Sequence, residues 1–333
     1  MRTELVERLQ CPHCGGCLTP HTEVPGNSRG TVDLGHLVCG RCSSTFPITN
    51  GIPRFVGREG YVSSFGHQWT RYAVEQWEED EATFEVKTGI RLDELRDRLV
   101  LDAGCGGGRY TQVAVRHGAS VIAIDRSRAI DRAARMCGEL ENVDFIQADL
   151  NRLPVRPLSI DLGFSIGVLH HTSDPEGAFR QVAATIRIGG RLAVWLYRHN
   201  TVVQECVNEV LRGITRRLST TQLETLAVAG ATLGGIPLLN LTLNKIVNFS
   251  NHPVWENRVC DTFDWYSPQY QSHHTVEELM HWFRSASFDQ LVELSPAKSS
   301  PLYDWAYRHN LIIGSGVNVS GTRIFSPPVG SAH

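Results

Sequence analysis

Between Arg98 and His117 the chain reads RLVLDAGCGGGRYTQVAVRH, and no other stretch limits its fold as tightly. The run from Arg98 to Ala103 predicts a buried parallel strand. Gly104, Gly106, Gly107 and Gly108 predict a tight turn, and Arg109 to His117 a helix. Glycine tolerates positive φ and lets backbone approach a ligand closely, while a helix start presents free N–H groups to it. A dinucleotide fingerprint, G-x-G-x-x-G, needs its third glycine at position 109, which is Arg109 here. Asp102 precedes the first glycine by two residues and makes the pattern D-x-G-x-G-x-G. A glycine turn with no ligand is the plainer alternative.

The sequence downstream weighs against that alternative. Ala119–Asp125 predicts a second buried strand ending in an acid, and Ser127–Leu140 a helix. Val143–Leu150 predicts a third strand with Asp149 at its end, and Ser159–His171 a fourth. Pro175–Ile188 reads as a helix and Gly189–Tyr197 as a fifth strand. Such alternation specifies an α/β, doubly wound, mostly parallel sheet. Carboxylates at strand ends lie in the crevice where open parallel sheets bind ligands, and Asp125 is placed to accept from ribose hydroxyls. From residue 98 to 197 these segments resemble the Rossmann-like class I S-adenosylmethionine (SAM) methyltransferases. The resemblance implies SAM as cofactor, with Asp149 on the adenine and Gly104 and Gly106 against the methionine part. Asp102, Arg109, Arg126, Leu150 and Ser165 complete the cofactor site it implies.

Nine cysteines are present, and Cys11, Cys14, Cys17, Cys39 and Cys42 crowd the start of the chain. The opening MRTELVERLQ carries no apolar core of a signal peptide, so a cytoplasmic, reducing setting is expected. Cys11-Pro-His-Cys14 and Cys39-Gly-Arg-Cys42 are two C-x-x-C knuckles, the spacing of a structural Zn²⁺ site. Four thiolates close the coordination sphere, which argues against a catalytic zinc. Metal binding supplies the folding free energy that so small a segment lacks. His13 and Cys17 read as bystanders. With Phe46-PITNGIPR-Phe55, this segment resembles the small zinc-ribbon activators of tRNA and protein methyltransferases, fused here to the catalytic part.

The organisation expected is a zinc ribbon at 1–56, a linker with lid helices at 57–97, and the SAM-binding core at 98–197. A helical cap insertion at 198–272, the end of the sheet at 273–326 and a loose tail at 327–333 follow. In the first linker Phe65, Gln68, Trp69 and Tyr72 offer stacking and hydrogen-bonding groups for a lid; Gln68 and Trp69 are assigned to the cofactor. An amphipathic helix packed on the sheet explains the spacing equally well. Within the cap, Thr225–Asn244 is uncharged, but glycines, Pro237 and asparagines dilute it too far for a membrane span. Dipping into a membrane interface is the weaker expectation, since the run lacks flanking basic residues. Thr275–Phe283 predicts the last helix, and Phe288–Leu294 and Thr322–Phe325 the last strands. The family resemblance implies one reversed edge strand.

Methyl transfer from a sulfonium to oxygen or nitrogen often needs a base, and histidine titrates near neutrality. His170 and His171, after the fourth strand, and Tyr266, His273 and His274, before the last helix, are the candidates. Trp255 and Trp265 read slightly better as core than as substrate platforms. Three functions stay open: a small-molecule methyltransferase, an RNA methyltransferase gripping substrate with its ribbon, and a SAM user of the same fold doing other chemistry. A formal net charge of −3 gives no global field for nucleic acid or anionic membrane. Over residues 1–60 six arginines are nearly balanced by five acids, with no basic stripe. A small-molecule acceptor under the cap is therefore the expectation, and nucleic acid is disfavoured.

Overall fold

A computed structural model describes residues 1–22, 31–57, 77–199 except 139 and 141, 202–236, 246–294 except 251 and 253, and 316–324. The lid candidates Phe65, Gln68, Trp69 and Tyr72 and the tail lie outside the described residues.

A short helix, α1 (Leu5–Arg8), precedes an antiparallel sheet of β1 (Leu18–Thr22), β2 (Leu34–Cys39), β3 (Thr45–Thr49) and β4 (Ile52–Pro53), in that order. Burial alternates along β2 and β3, so Leu37, Phe46 and Ile48 face inward and Thr45, Pro47 and Thr49 outward. The inward face is not a core of its own. It continues into the interior of the main sheet, joining Leu5, Leu9 and Ile48 to Ile122, Ile146 and Val155 in a single apolar cluster.

The main sheet follows from the β-α alternation. After α2 (Trp77–Thr88) come β5 (Leu99–Ala103), α3 (Arg109–Arg116), β6 (Ser120–Asp125), α4 (Ala129–Met136) and β7 (Val143–Gln147). Next are β8 (Ile160–Ile166), α5 (Pro175–Thr185) and β9 (Ile186–Tyr197), then α6 (Val202–Thr215), α7 (Thr220–Gly234) and α8 (Trp255–Tyr266). α9 (Val276–Ser285), β10 (Phe288–Glu293) and β11 (Gly316–Arg323) end the described fold. Seven strands lie in the order β10-β11-β9-β8-β5-β6-β7, with β5 to β9 mutually parallel. β11 runs antiparallel to both β9 and β10. The reversed strand is thus one place in from the edge, not at it. Burial explains the choice: β11 is buried along nearly its whole length, whereas β10 exposes Asp289, Gln290, Val292 and Glu293 and takes the outer position. β11 also starts well before Thr322, because small polar residues in Gly316–Arg323 hide its period in the sequence.

The ribbon covers the opposite edge. The Phe55 N–H donates to the Gln147 carbonyl of β7 at 2.8 Å, and Arg54 reaches Gln147 Oε1 at 2.9 Å and Asp131 at 2.5 Å. Leu9 bridges Val155, and Arg2 pairs with Asp144 at 2.6 Å. An edge strand offers unpaired backbone groups, and here some of them find partners in the ribbon.

Between β9 and α9 lie the helices α6, α7 and α8, with a small cluster of Leu223, Ala227, Ala231, Val259 and Phe263. Ser219 and Gln222 close a capping box at the start of α7. Thr225–Gly234 of the uncharged run is helical, and residues 237–245 lie outside the described residues. Among the described residues no helix is long and apolar enough to cross a membrane. Trp255 is 44% exposed at the first turn of α8, which corrects its reading as core.

Candidate active site

At the carboxyl ends of β5 and β6 the glycine loop does what its sequence predicts. Gly104 has φ +97°, and a Cβ there would lie 2.4 Å from both methyls of Val168, so no side chain fits. The Gly104 and Cys105 N–H groups donate to the Ile124 carbonyl at 2.8 and 2.9 Å, tying the loop to β6. One oxygen of Asp125 accepts from the Gly106 N–H at 2.9 Å; the other accepts from the Ser127 N–H at 2.7 Å and its hydroxyl at 2.6 Å. Burial pushes the Asp125 carboxyl up, against these hydrogen bonds.

A cavity of about 290 Å³ opens over this loop, near the lower end of the range for small-molecule sites. Gly104, Gly106, Arg109, Asp125, Arg126, Asp149, Leu150 and His171 all line it. Arg126 pairs with Asp149 at 2.6 Å, Asp149 caps the following turn through the Asn151 N–H at 2.9 Å, and Arg109 pairs with Asp80. Asn151, which sequence reasoning missed, has both amide side-chain atoms buried and without a hydrogen-bond partner. An amide that can donate and accept suits a polar heterocycle such as adenine. With the bare backbone of the loop and two carboxylates, the donors and acceptors fit SAM. A more open, polar groove of about 700 Å³ adjoins this end, sharing Arg126, Asp149 and Asn151 and reaching His13 and Phe55 of the ribbon.

Two expected cofactor residues do not line the cavity. Ser165 is fully buried and donates to the Ala103 carbonyl at 2.8 Å. Asp102 is buried under the loop and accepts from the Thr111 hydroxyl at 2.6 Å, fastening β5 to α3. Burial drives the Asp102 carboxyl up to about 7, Thr111 opposing and the Asp125 charge adding to the rise. A carboxyl held above its unfolded value binds its proton more tightly in the folded state, so stability falls as pH climbs between about 4 and 7. Relative to wild type, Asp102→Asn should therefore gain up to about 1.4 kcal/mol per pH unit across that window in urea melts. A pH-independent difference would count against a protonated Asp102.

The far end of the cavity is built by β9 and the helical insertion. Trp195, Tyr197, Asp261 and Asp264 line it, with Lys87 Nζ 4.5 Å from the centre of the Trp195 ring. β8 ends at Ile166, short of the expected His171, and the two histidines sit in the turn Leu169–His171. His171 faces the cavity. Its Nδ1 lies 3.2 Å from the Tyr270 carbonyl and its Nε2 3.6 Å from Asp264 Oδ2, which accepts from the Tyr197 hydroxyl at 2.8 Å.

The other candidate bases lie elsewhere. His170 is fully buried against Tyr197, ring centres 3.9 Å apart, and accepts the Tyr197 N–H at Nδ1; burial pushes its pKa well below the usual value. The Tyr266 hydroxyl donates to the Asn248 carbonyl at 2.9 Å, and burial pushes it up to about 12. Its ring lines a separate apolar cavity of about 230 Å³ within the insertion. His273 pairs with Glu205 at 2.9 Å, and His274 with Glu278 at 3.0 Å. Helical spacing held a signal here: Cys260, Asp261 and Asp264 share one face of α8, while Phe263 and Tyr266 turn away.

Residues 101–194 match the family description "Methyltransferase domain". This stretch is a methyltransferase domain. The chain is 31% identical over 100 residues to a ubiquinone biosynthesis O-methyltransferase of Coxiella burnetii, covering 29% of this chain and 43% of that protein. It is 36% identical over 115 residues to one of Xylella fastidiosa, covering 32% and 46%. The chain thus spans less than half the length of the relatives it matches. A solved SAM-dependent methyltransferase from Mesorhizobium loti aligns with TM-score 0.42 at 20% identity, covering 69% of this chain and 93% of the other.

Beside the methyltransferase domain, the four predicted metal ligands converge. The sulfurs of Cys11, Cys14, Cys39 and Cys42 all lie within 4.8 Å of one another, with Cys11–Cys42 at 3.6 Å and Cys14–Cys39 at 3.5 Å. Tetrahedral zinc with Zn–S of about 2.3 Å separates its sulfurs by about 3.8 Å, so the set fits that ion. Gly16 leaves room for them, since a Cβ there would sit 2.9 Å from Cys39 Sγ. Cys17 stands outside the cluster, near Arg156, and His13 meets Ser44.

Proposed function

We propose that the chain transfers a methyl group from SAM to a hydroxyl or amine of a small molecule held between the methyltransferase domain and the helical cap. One observation carries this reading: the cavity is polarised, with the glycine loop, Asp125 and Asp149 at one end and His171 beside Asp264 at the other. SAM, when bound, supplies an electrophilic methyl on a sulfonium. Asp125 accepts from the ribose hydroxyls, Asp149 and Asn151 meet the adenine, and the loop lies against the methionine part. In-line displacement requires acceptor, methyl carbon and sulfur to be aligned, and a loop pinned to β6 keeps one side of that alignment fixed. His171 takes the acceptor proton. The oxygen chemistry in the relatives' names favours a hydroxyl acceptor.

Removing the Asp125 carboxylate should cost about 1.5–3 kcal/mol of SAM binding, the range for a charged hydrogen bond, or about 10- to 150-fold in Kd. Calorimetry on folded Asp125→Ala measures it, and unchanged affinity would place the cofactor elsewhere. Incubation with methyl-labelled SAM and fractionated metabolites, RNA and protein tests the acceptor class. Label should enter a small molecule. Label in RNA, with turnover falling steeply as salt rises, would instead mean that phosphate contacts carry the affinity.

A further inference from the structure

At the acceptor end of the cavity two carboxylates stand one turn apart on α8, those of Asp261 and Asp264. Residues at this spacing are neighbours on one helix face, so both acids belong to one wall. Among the described residues neither is in ion-pair contact with an arginine or lysine; Asp264 has the His171 ring at 3.6 Å. Resting on the methyl-transfer reading, we infer that Asp261 and Asp264 select an acceptor carrying a cationic amino group, held apart from the hydroxyl that takes the methyl.

Both acids are fixed before any ligand arrives. The Ser250 hydroxyl donates to Asp261 Oδ2 and the Tyr197 hydroxyl to Asp264 Oδ2, each at 2.8 Å. Burial and then the Asp264 charge push the Tyr197 phenol well above its usual range, so it stays a donor. Among the described residues Oδ1 of each carboxylate makes no hydrogen bond, which leaves it to meet a ligand. Asp261 is open to the cavity with protein close on its other sides. Burial pushes its carboxyl up, Ser250 opposing and the Asp264 charge adding to the rise. An ammonium beside the pair supplies the opposite charge that both acids lack.

Other charges along the cavity cancel in place, Arg126 against Asp149 and Arg109 against Asp80. At the α8 end Lys87 sets one ammonium against two carboxylates. Its Nζ lies 4.5 Å from the Trp195 ring centre, so this indole face already accepts a positive charge. A carboxylate or phosphate on the acceptor would meet like charge here, and a neutral alcohol forms weaker hydrogen bonds to carboxylates than an ammonium does. The sulfonium of bound SAM repels a cation as well. The amino group therefore belongs at the α8 wall, and the accepting hydroxyl on the side of the glycine loop.

The test needs no natural acceptor. Benzylamine, benzyl alcohol and benzoate share a ring and differ in charge, and each is titrated by ligand-detected NMR into full-length protein with S-adenosylhomocysteine at neutral pH. A charge-assisted hydrogen bond is roughly twice as strong as a neutral one, so the amine should bind about 10-fold tighter than the alcohol. Benzoate should bind more weakly than either. The double variant Asp261→Asn and Asp264→Asn keeps the shape and removes both charges, and should bring amine and alcohol within about 2-fold of each other. Lys87→Met removes the competing ammonium and should tighten the amine about 3-fold, the size of one partly screened charge. An amine that binds no tighter than the alcohol, or a preference that survives in the double variant, overturns the inference. Should the double variant not fold, Lys87→Met decides, and an unchanged amine affinity there overturns it. Calorimetry with SAM keeps the two claims apart: absent SAM binding overturns methyl transfer, whereas SAM binding without an amine preference overturns only the selection by Asp261 and Asp264.

Discussion

Chelating the metal at neutral pH should release about one zinc per chain and take the ribbon's fold with it. Structural zinc contributes about 10–16 kcal/mol in small peptide sites, and a segment of this size has little else to hold it. Here the loss should spread, because Leu5, Leu9, Leu37 and Ile48 belong to the same apolar cluster as the sheet strands Leu101, Ile122 and Ile146. Cys39→Ser, at a buried ligand, should destabilise the whole chain by at least about 4 kcal/mol, a size reserved for losses such as a metal site. Elemental analysis and urea melts measure both effects. A metal-free protein with four free thiols and the wild-type melt would remove zinc from the account.

Replacing His171 by Gln should lower kcat by about 10²- to 10⁴-fold, the usual contribution of a positioned base, on the acceptor identified by labelled SAM. SAM affinity should stay close to wild type, since His171 lies at the opposite end of the cavity from Asp125 and Asp149. His170→Gln supplies the contrast. That ring is fully buried and stacked on Tyr197, so its loss should appear mainly in melting temperature. Equal kcat losses in the two variants, with equal losses of stability, would mean that the pair only supports the fold.

The cofactor end of the site was far more legible in the sequence than the acceptor end. Gly104, Asp125, Asp149 and Leu150 belong to local strand–turn–helix units, where position in the unit dictates position in space. Asp102 and Ser165 lie within the buried strands β5 and β8, where Asp102 accepts from Thr111 and Ser165 donates to the Ala103 carbonyl. The four cysteines were readable because a tetrahedral ion demands ligands in closely spaced pairs. Lys87, Trp195, Asp261 and Asp264 had no such signal. They reach one cavity from α2, β9 and α8, and only the packed chain brings them together. In the insertion Tyr266 stands out in the sequence for its chemistry and Asp264 does not, and helical phase puts the two on different faces of α8.

Both margins of the main sheet are guarded, in different ways. At β10 the outer position is taken by a short strand with exposed Asp289 and Glu293, charges that discourage a neighbouring chain from adding on. At β7 the guard is the ribbon, whose Phe55 N–H takes the Gln147 carbonyl. The cysteines therefore have a colloidal role as well as a structural one. A protein trimmed to its methyltransferase domain, or starved of zinc, would present β7 as an open template for strand addition. Its characteristic failure would then be aggregation that steepens with concentration, well before any change at the glycine loop.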